Sequence, residues 1–111
     1  MRAIRSNLQD AVLLTLRGDF DAFVVAPFLE AVDELLAEGV HHLVLNLRLV
    51  KFVNSSALGT LIRVRRRLQA EGGDLLLSQP SIACREAIEA LGIESQFSIH
   101  PDDERALRAV A

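Results

Sequence analysis

Short apolar runs alternate with longer stretches of helical spacing along the whole chain. Four runs are rich in Val, Leu and Ile: VLLTL at 12–16, HLVLNL at 42–47, DLLLS at 74–78 and FSI at 97–99. Each has strand length, while the segments between them set apolar residues three and four apart, the spacing that lines one helix face. This alternation predicts an α/β fold built from strand–helix units on a mostly parallel mixed sheet of about four or five strands, with about four helices. Residues 2–6 also read as extended. The polar SNLQD at 6–10 suits a hairpin turn, so the first strand is expected at an antiparallel edge.

Breakers and caps mark the helices. The first has Pro27 at or near its first turn, an inward stripe of Phe28, Val32, Leu35 and Leu36, and Gly39 as its stop. The second begins in the serine-rich VNSSALGTL at 53–61 and ends before Gly72-Gly73. The third opens at Ser81 after Pro80, uses Ile82, Ile88 and Leu91, and stops at Gly92. A short fourth follows Pro101, with Asp102, Asp103 and Glu104 in its first turn, where acids suit the helix dipole. There is no linker, low-complexity tract or long-period repeat, so residues 1–111 are expected to form one domain.

Composition narrows the function. Half of the residues are hydrophobic, enough for a core, but with five Phe and neither Tyr nor Trp there are few stacking platforms for bases or sugars. The net charge of −3 argues against a nucleic-acid binder. The single cysteine, Cys84, cannot close an internal disulfide. No apolar run nears the roughly 20 residues that span a bilayer, and Asn7, Gln9 and Asp10 break up any signal-peptide core. A soluble, cytoplasmic protein is expected.

In parallel strand–helix units the C-terminal strand ends meet ligands and partners. The loops there would be residues 18–26, 48–55, 79–81 and 100–102, bringing Asp19, Asp21, Asn54, Ser55, Ser56 and His100 to one surface. Any one of Asn54, Ser55 and Ser56 can cap the second helix. Three in a row exceed what a cap needs. A serine hydroxyl in an exposed first turn is also accessible to a kinase, and its phosphate would bring about −1.5 to −2 charges beside the positive end of the helix.

GDFD at 18–21, LVLNL at 43–47 and above all FVNSSALGTLI at 52–62 resemble the pattern of bacterial anti-sigma-factor antagonists, the STAS-domain family. That pattern has a G-E-L-D-like turn, a strand ending L-D-L, and D-S-S-G-L-G opening a helix. The resemblance covers essentially the whole chain. It implies a STAS-like fold and a binding role rather than catalysis, without a cofactor. The implied partners are an anti-sigma factor that is also an ATP-dependent serine kinase, and a serine phosphatase. Ser56, matching the second serine of the motif, is the implied phosphoacceptor. This sequence departs from the pattern at Asn54 and Asn46, both aspartates in the family, and at Ala57, a glycine there. A non-phosphorylated scaffold subunit of a larger signalling or transport complex is the alternative that the asparagine at 54 keeps in view.

At about 100° per residue, Ala57, Leu61, Val64 and Leu68 make the core stripe of the second helix, with Arg63, Arg66 and Arg67 on the far side. Leu58 and Ile62 fall beside the core stripe, where they either pack against a neighbouring helix or dock a partner's helix. The edge strand and the second helix are the surfaces through which a weak homodimer would form. Other chemistry is poorly supported. No G-x-S-x-G surrounds Ser56 as a hydrolase elbow would require, His41 and His42 lack metal-ligand spacing, and Gly72-Gly73 leads into a strand rather than a phosphate-binding helix.

Overall fold

A computed structural model of the protein describes residues 2–7 as backbone and residues 11–110 in full. Among the described residues five strands form one sheet in chain order: β1 (Arg2–Asn7), β2 (Val12–Phe20), β3 (His42–Val53), β4 (Asp74–Ser78) and β5 (Ser98–His100). β1 is antiparallel to β2 at the edge, and the other neighbours are parallel. The mixed sheet with its antiparallel first strand therefore matches expectation. Of the SNLQD segment expected to turn, Ser6 and Asn7 are still paired in β1, and residues 8–10 lie outside the described residues.

Helices α1 (Ala22–Ala37), α2 (Ser55–Ala70) and α3 (Ile82–Leu91) follow β2, β3 and β4. Their buried residues, among them Phe28, Val32, Leu61, Val64, Leu68 and Ile88, pack with Val12, Leu14, Leu16, Leu43, Leu45, Leu75 and Leu77 into one apolar cluster. Alternate strand residues face the other way. Val44 and Leu76 meet Ala106 of α4 (Asp103–Arg108) in a smaller second cluster. Period-2 alternation thus assigns one sheet face to three helices and the other to a single short helix.

Three expectations need correction. α1 starts well before Pro27, because Asp21 caps it and the proline falls inside the helix. Pro27 lacks the N–H that would bond one turn back, so the fold accepts a missing helical bond there. Ile82 and Leu91 are 76% and 49% exposed, since Cys84 and Ile88 set the buried face of α3. Lastly, residues 18–26 and 48–55 are not mainly loops: β2 runs on to Phe20 and β3 to Val53. Two register shifts in the β2–β3 ladder, between Thr15 and Arg17 and between Gly18 and Asp19, absorb extra β3 residues. These bulges break the strict alternation that the apolar run would otherwise show.

Gly73 marks a close approach. A Cβ at this position would fall 1.6 Å from the His41 carbonyl oxygen, the atom that accepts the Asp74 N–H. The turn from α2 into β4 therefore has room only for glycine.

Behind the sheet a buried polar network fastens α4. Asn46 and Ser78 have no exposed surface. The Asn46 amide nitrogen donates to Gln79 Oε1 at 2.8 Å and to Asp103 Oδ1 at 2.9 Å, while its oxygen accepts the Arg48 backbone N–H at 3.0 Å. Ser78 Oγ donates to the same Asp103 oxygen at 2.5 Å. Asp103 needs a donor at position 46, and asparagine supplies it. An aspartate there would set two carboxylates against each other in a buried site. Asn46→Asp is therefore expected to lower stability at neutral pH by roughly 1–3 kcal/mol. The loss should shrink as pH falls into the carboxylate range, and should largely disappear when Asp103→Asn is added. Urea unfolding of the single and double variants across pH checks this.

Candidate functional site

Beyond Asn46, the last residue paired with β4, β3 continues to Val53 with β2 as its partner. The ends of β2 and β3 thus project together past the rest of the parallel sheet, and both lead directly into helices.

Asn54 joins these ends. Its backbone N–H donates to the Phe20 carbonyl at 3.3 Å, which ties the β3–α2 junction to the β2–α1 junction. Its side-chain Oδ1 accepts the Ala57 N–H at 2.9 Å, and its carbonyl accepts the Leu58 N–H at 3.1 Å. Asn54 is extended, the usual conformation of a helix N-cap. The neutral amide thus does the capping that the family's carboxylate could do. Asp21 has the same task one junction earlier, its Oδ1 accepting the Phe23 N–H at 2.9 Å. Asp19 is exposed at the end of β2, paired across the ladder with Phe52.

With Asn54 as the cap, Ser55 and Ser56 are left exposed as the first two residues of α2. Neither hydroxyl bonds to another described residue. The Ser56 carbonyl is engaged: it accepts from Thr60 Oγ1 at 3.0 Å, and Arg63 Nη2 donates to that same Thr60 oxygen at 3.0 Å. Arg63 therefore folds back along α2 towards its start.

Two expected site residues are placed differently from the rest. Leu58 is wholly buried and belongs to the main core. It offers a partner no surface, because α2 packs against α1, α3 and the sheet and so buries a wider stripe than an outer helix would. Ile62 is half-buried at the margin of that core. His100 does not share the serine surface. It lies level with Ser78, which is level with Asn46, and Val53 is seven residues further along β3. At about 3.3 Å per residue that separation is on the order of 20 Å. The His100 ring instead meets Ser98 Oγ at 2.8 Å, so Ser56 and His100 are not brought together as a pair. Cys84 is buried in the core. Burial pushes its thiol above the ordinary range, against a smaller pull from its hydrogen bonds to Ser81. The thiolate needed for reactivity is correspondingly disfavoured.

The structure also exposes residues that periodicity did not single out. Phe23 is 90% and Phe52 50% exposed. They lie in the two segments that the Asn54–Phe20 hydrogen bond joins. Their signal was a phenylalanine beside each polar turn, Phe23 after GDFD and Phe52 before NSS, in a chain poor in aromatics.

Residues 4–106 match the STAS domain family model. Among solved structures, a candidate anti-sigma factor antagonist from Thermotoga maritima superposes with a TM-score of 0.88 at 20% identity, covering 97% of this chain and 93% of that one. An anti-sigma factor antagonist from Mycobacterium paratuberculosis gives 0.84 at 23% identity, over 98% and 92% of the two chains. The Bacillus cell fate determinant SpoIIAA in its phosphorylated form gives 0.72 at 20% identity, over 96% and 98%. At these identities the structural likeness establishes the fold.

If Asn54 is the cap, Asn54→Ala should cost about 1 kcal/mol and Asn54→Asp only a few tenths. Ser55→Ala should be nearly neutral. Chemical denaturation of the three variants measures the ranking.

Proposed function

Since the chain belongs to the STAS-domain family, we propose that it is a cytoplasmic regulatory binding protein of the anti-sigma-factor antagonist type. In this reading it is a single-domain, non-enzymatic protein that engages an anti-sigma factor with serine kinase activity and is switched by phosphorylation at Ser56. A serine phosphatase would restore the unmodified form. The observation that carries the reading is the exposed Ser56 hydroxyl, left free because Asn54 takes the capping role. Two of the similar structures are those of proteins described as anti-sigma factor antagonists or candidates for that role, and a third is of a protein in its phosphorylated form.

The partner-facing surface would comprise Asp19, Asp21, Asn54, Ser55, Ser56 and the exposed flank of Ile62, with Phe23 and Phe52 as apolar anchors. Large exposed apolar side chains beside polar ones are the usual makings of an interface hot spot. A phosphate here would place about −1.5 to −2 charges on a surface that already bears Asp19 and Asp21, altering its electrostatic match to a partner.

Given ATP and its cognate serine kinase, the purified protein should gain one phosphate, located at Ser56 by mass spectrometry. Ser56→Ala should abolish the modification and leave the unfolding curve unchanged. Ser56→Glu should weaken partner binding roughly tenfold or more, as a repulsive charge at an interface does. A phosphate elsewhere would count against the assignment. Stable co-purification indifferent to Ser56→Glu would favour the non-phosphorylated scaffold instead.

A further inference from the structure

We infer that Arg63 is an intramolecular receptor for a phosphate on Ser56, an inference that rests on Ser56 being the phosphoacceptor. Ser56 and Arg63 are seven residues apart on α2, which at about 100° per residue sets them within about 20° of one line along the helix surface. Gly59 and Thr60 lie between them. The lack of a side chain at Gly59 leaves that line open, and Arg63 Nη1 lies 3.6 Å from where a Cβ of residue 59 would stand. Two consecutive hydrogen bonds, Arg63 Nη2 to Thr60 Oγ1 and Thr60 Oγ1 to the Ser56 carbonyl, each 3.0 Å long, hold the guanidinium over the turn that begins at Ser56.

Charge pairing along α2 points the same way. Arg65 pairs with Asp74 at 2.9 Å and Arg67 with Asp33 at 2.5 Å. Arg66 donates to the Gln96 side chain. Among the described residues Arg63 has no carboxylate partner, and the hydrogen bond its guanidinium makes there is to the neutral Thr60 hydroxyl. When the γ-phosphoryl group of ATP moves to Ser56, the Oγ–P bond forms as the β–γ bridging bond breaks, with loss of the hydroxyl proton and release of ADP. The product is a dianion one helical stripe from this guanidinium. A planar fork of donors recognises phosphate oxygens well, and pairing with them replaces a neutral hydrogen bond by charge-assisted ones. With an amide rather than a carboxylate at position 54, the capping residue contributes no opposing charge. Arg63 thus folds the phosphate back against α2 and away from Asp19 and Asp21.

The test does not require the kinase. Phosphoserine is placed at position 56 of the full chain by codon suppression, and its second ionisation is followed by phosphorus NMR against pH. The phosphate with Arg63 present should titrate roughly half a unit lower than in Arg63→Gln, the shift expected of one cation about 5 Å away in a watery setting. Arg63→Lys should recover part of the shift, and molar salt should shrink it. Arg66→Gln, about one turn further along the same helix from Ser56, should leave the titration unchanged. Equal titration with Arg63 and with Arg63→Gln, or an equal shift from Arg66→Gln, overturns the inference. Failure of a kinase to modify Ser56 would count against the proposed switch and would not affect this titration.

Discussion

The pairing of β2 with the far half of β3 is the constraint from which the serine end of the molecule follows. Over residues 12–15 and 43–46 that ladder is an ordinary part of the parallel sheet. Past Asn46 it continues as a two-strand ribbon, bent by two bulges, until Phe20 and Val53 face each other. An isolated pair of strands is only marginally stable, and here the ribbon is anchored from one side. Val50 and Val53 turn into the main core beside Phe20, whose ring meets Phe28 edge-on at 5.4 Å between centroids. Asn54 then locks the end with a backbone bond to Phe20 and a side-chain bond to α2. The start of α2 is thereby positioned by sheet, core and cap together.

Two asparagines stand where the family pattern has aspartate, and different neighbours account for them. At position 46 the amide faces a carboxylate and a glutamine oxygen on one side and a backbone N–H on the other. Only a group with both donors and an acceptor satisfies all three, and a buried unsatisfied polar atom is costly. The substitution at 46 is therefore coupled to Asp103 and to the attachment of α4. At position 54 the requirement is only an acceptor for one orphan amide, which either residue provides. Asn54 preserves the helix start while removing a negative charge from the neighbourhood of Ser55 and Ser56.

Much of the fold was legible because periodicity and caps agreed. The expected helix starts at the serine motif and at Ser81 are capped by Asn54 and Ser81 through side-chain oxygens, and Ala57, Leu61, Val64 and Leu68 are all buried as their spacing requires. The caps Asp21 and Asp102 were not singled out as such. What escaped was tertiary in origin. Bulges shift side chains between sheet faces without altering residue type, so the extension of β3 through Arg48 and Lys51 resembled a loop. Leu58 looked peripheral on an isolated helical wheel but is interior, because α2 has neighbours on both sides. Ile82 is apolar and helical, yet lies off the face that Cys84 and Ile88 bury. The serine motif was found from its residues, whereas the exposure of Phe23 and the folded-back guanidinium of Arg63 depend on packing that no local pattern specifies.

The first turns of α2 divide their labour by residue. Ala57, Leu58 and Leu61 are completely buried and make the helix part of the core, while Ser55, Ser56 and Arg63 are exposed on its outer side. Moving this helix would require opening well-packed contacts of Leu58 and Leu61, each worth several kcal/mol on truncation to alanine. A charge added at Ser56 acts chiefly on exposed groups, Arg63 among them, whose interactions are far weaker. Under the proposed switch, a phosphate at Ser56 would therefore change the surface charge of an otherwise unchanged scaffold. A partner of the proposed kind would then tell the two forms apart by electrostatics, since Phe23 and Phe52 are exposed whatever the charge at Ser56.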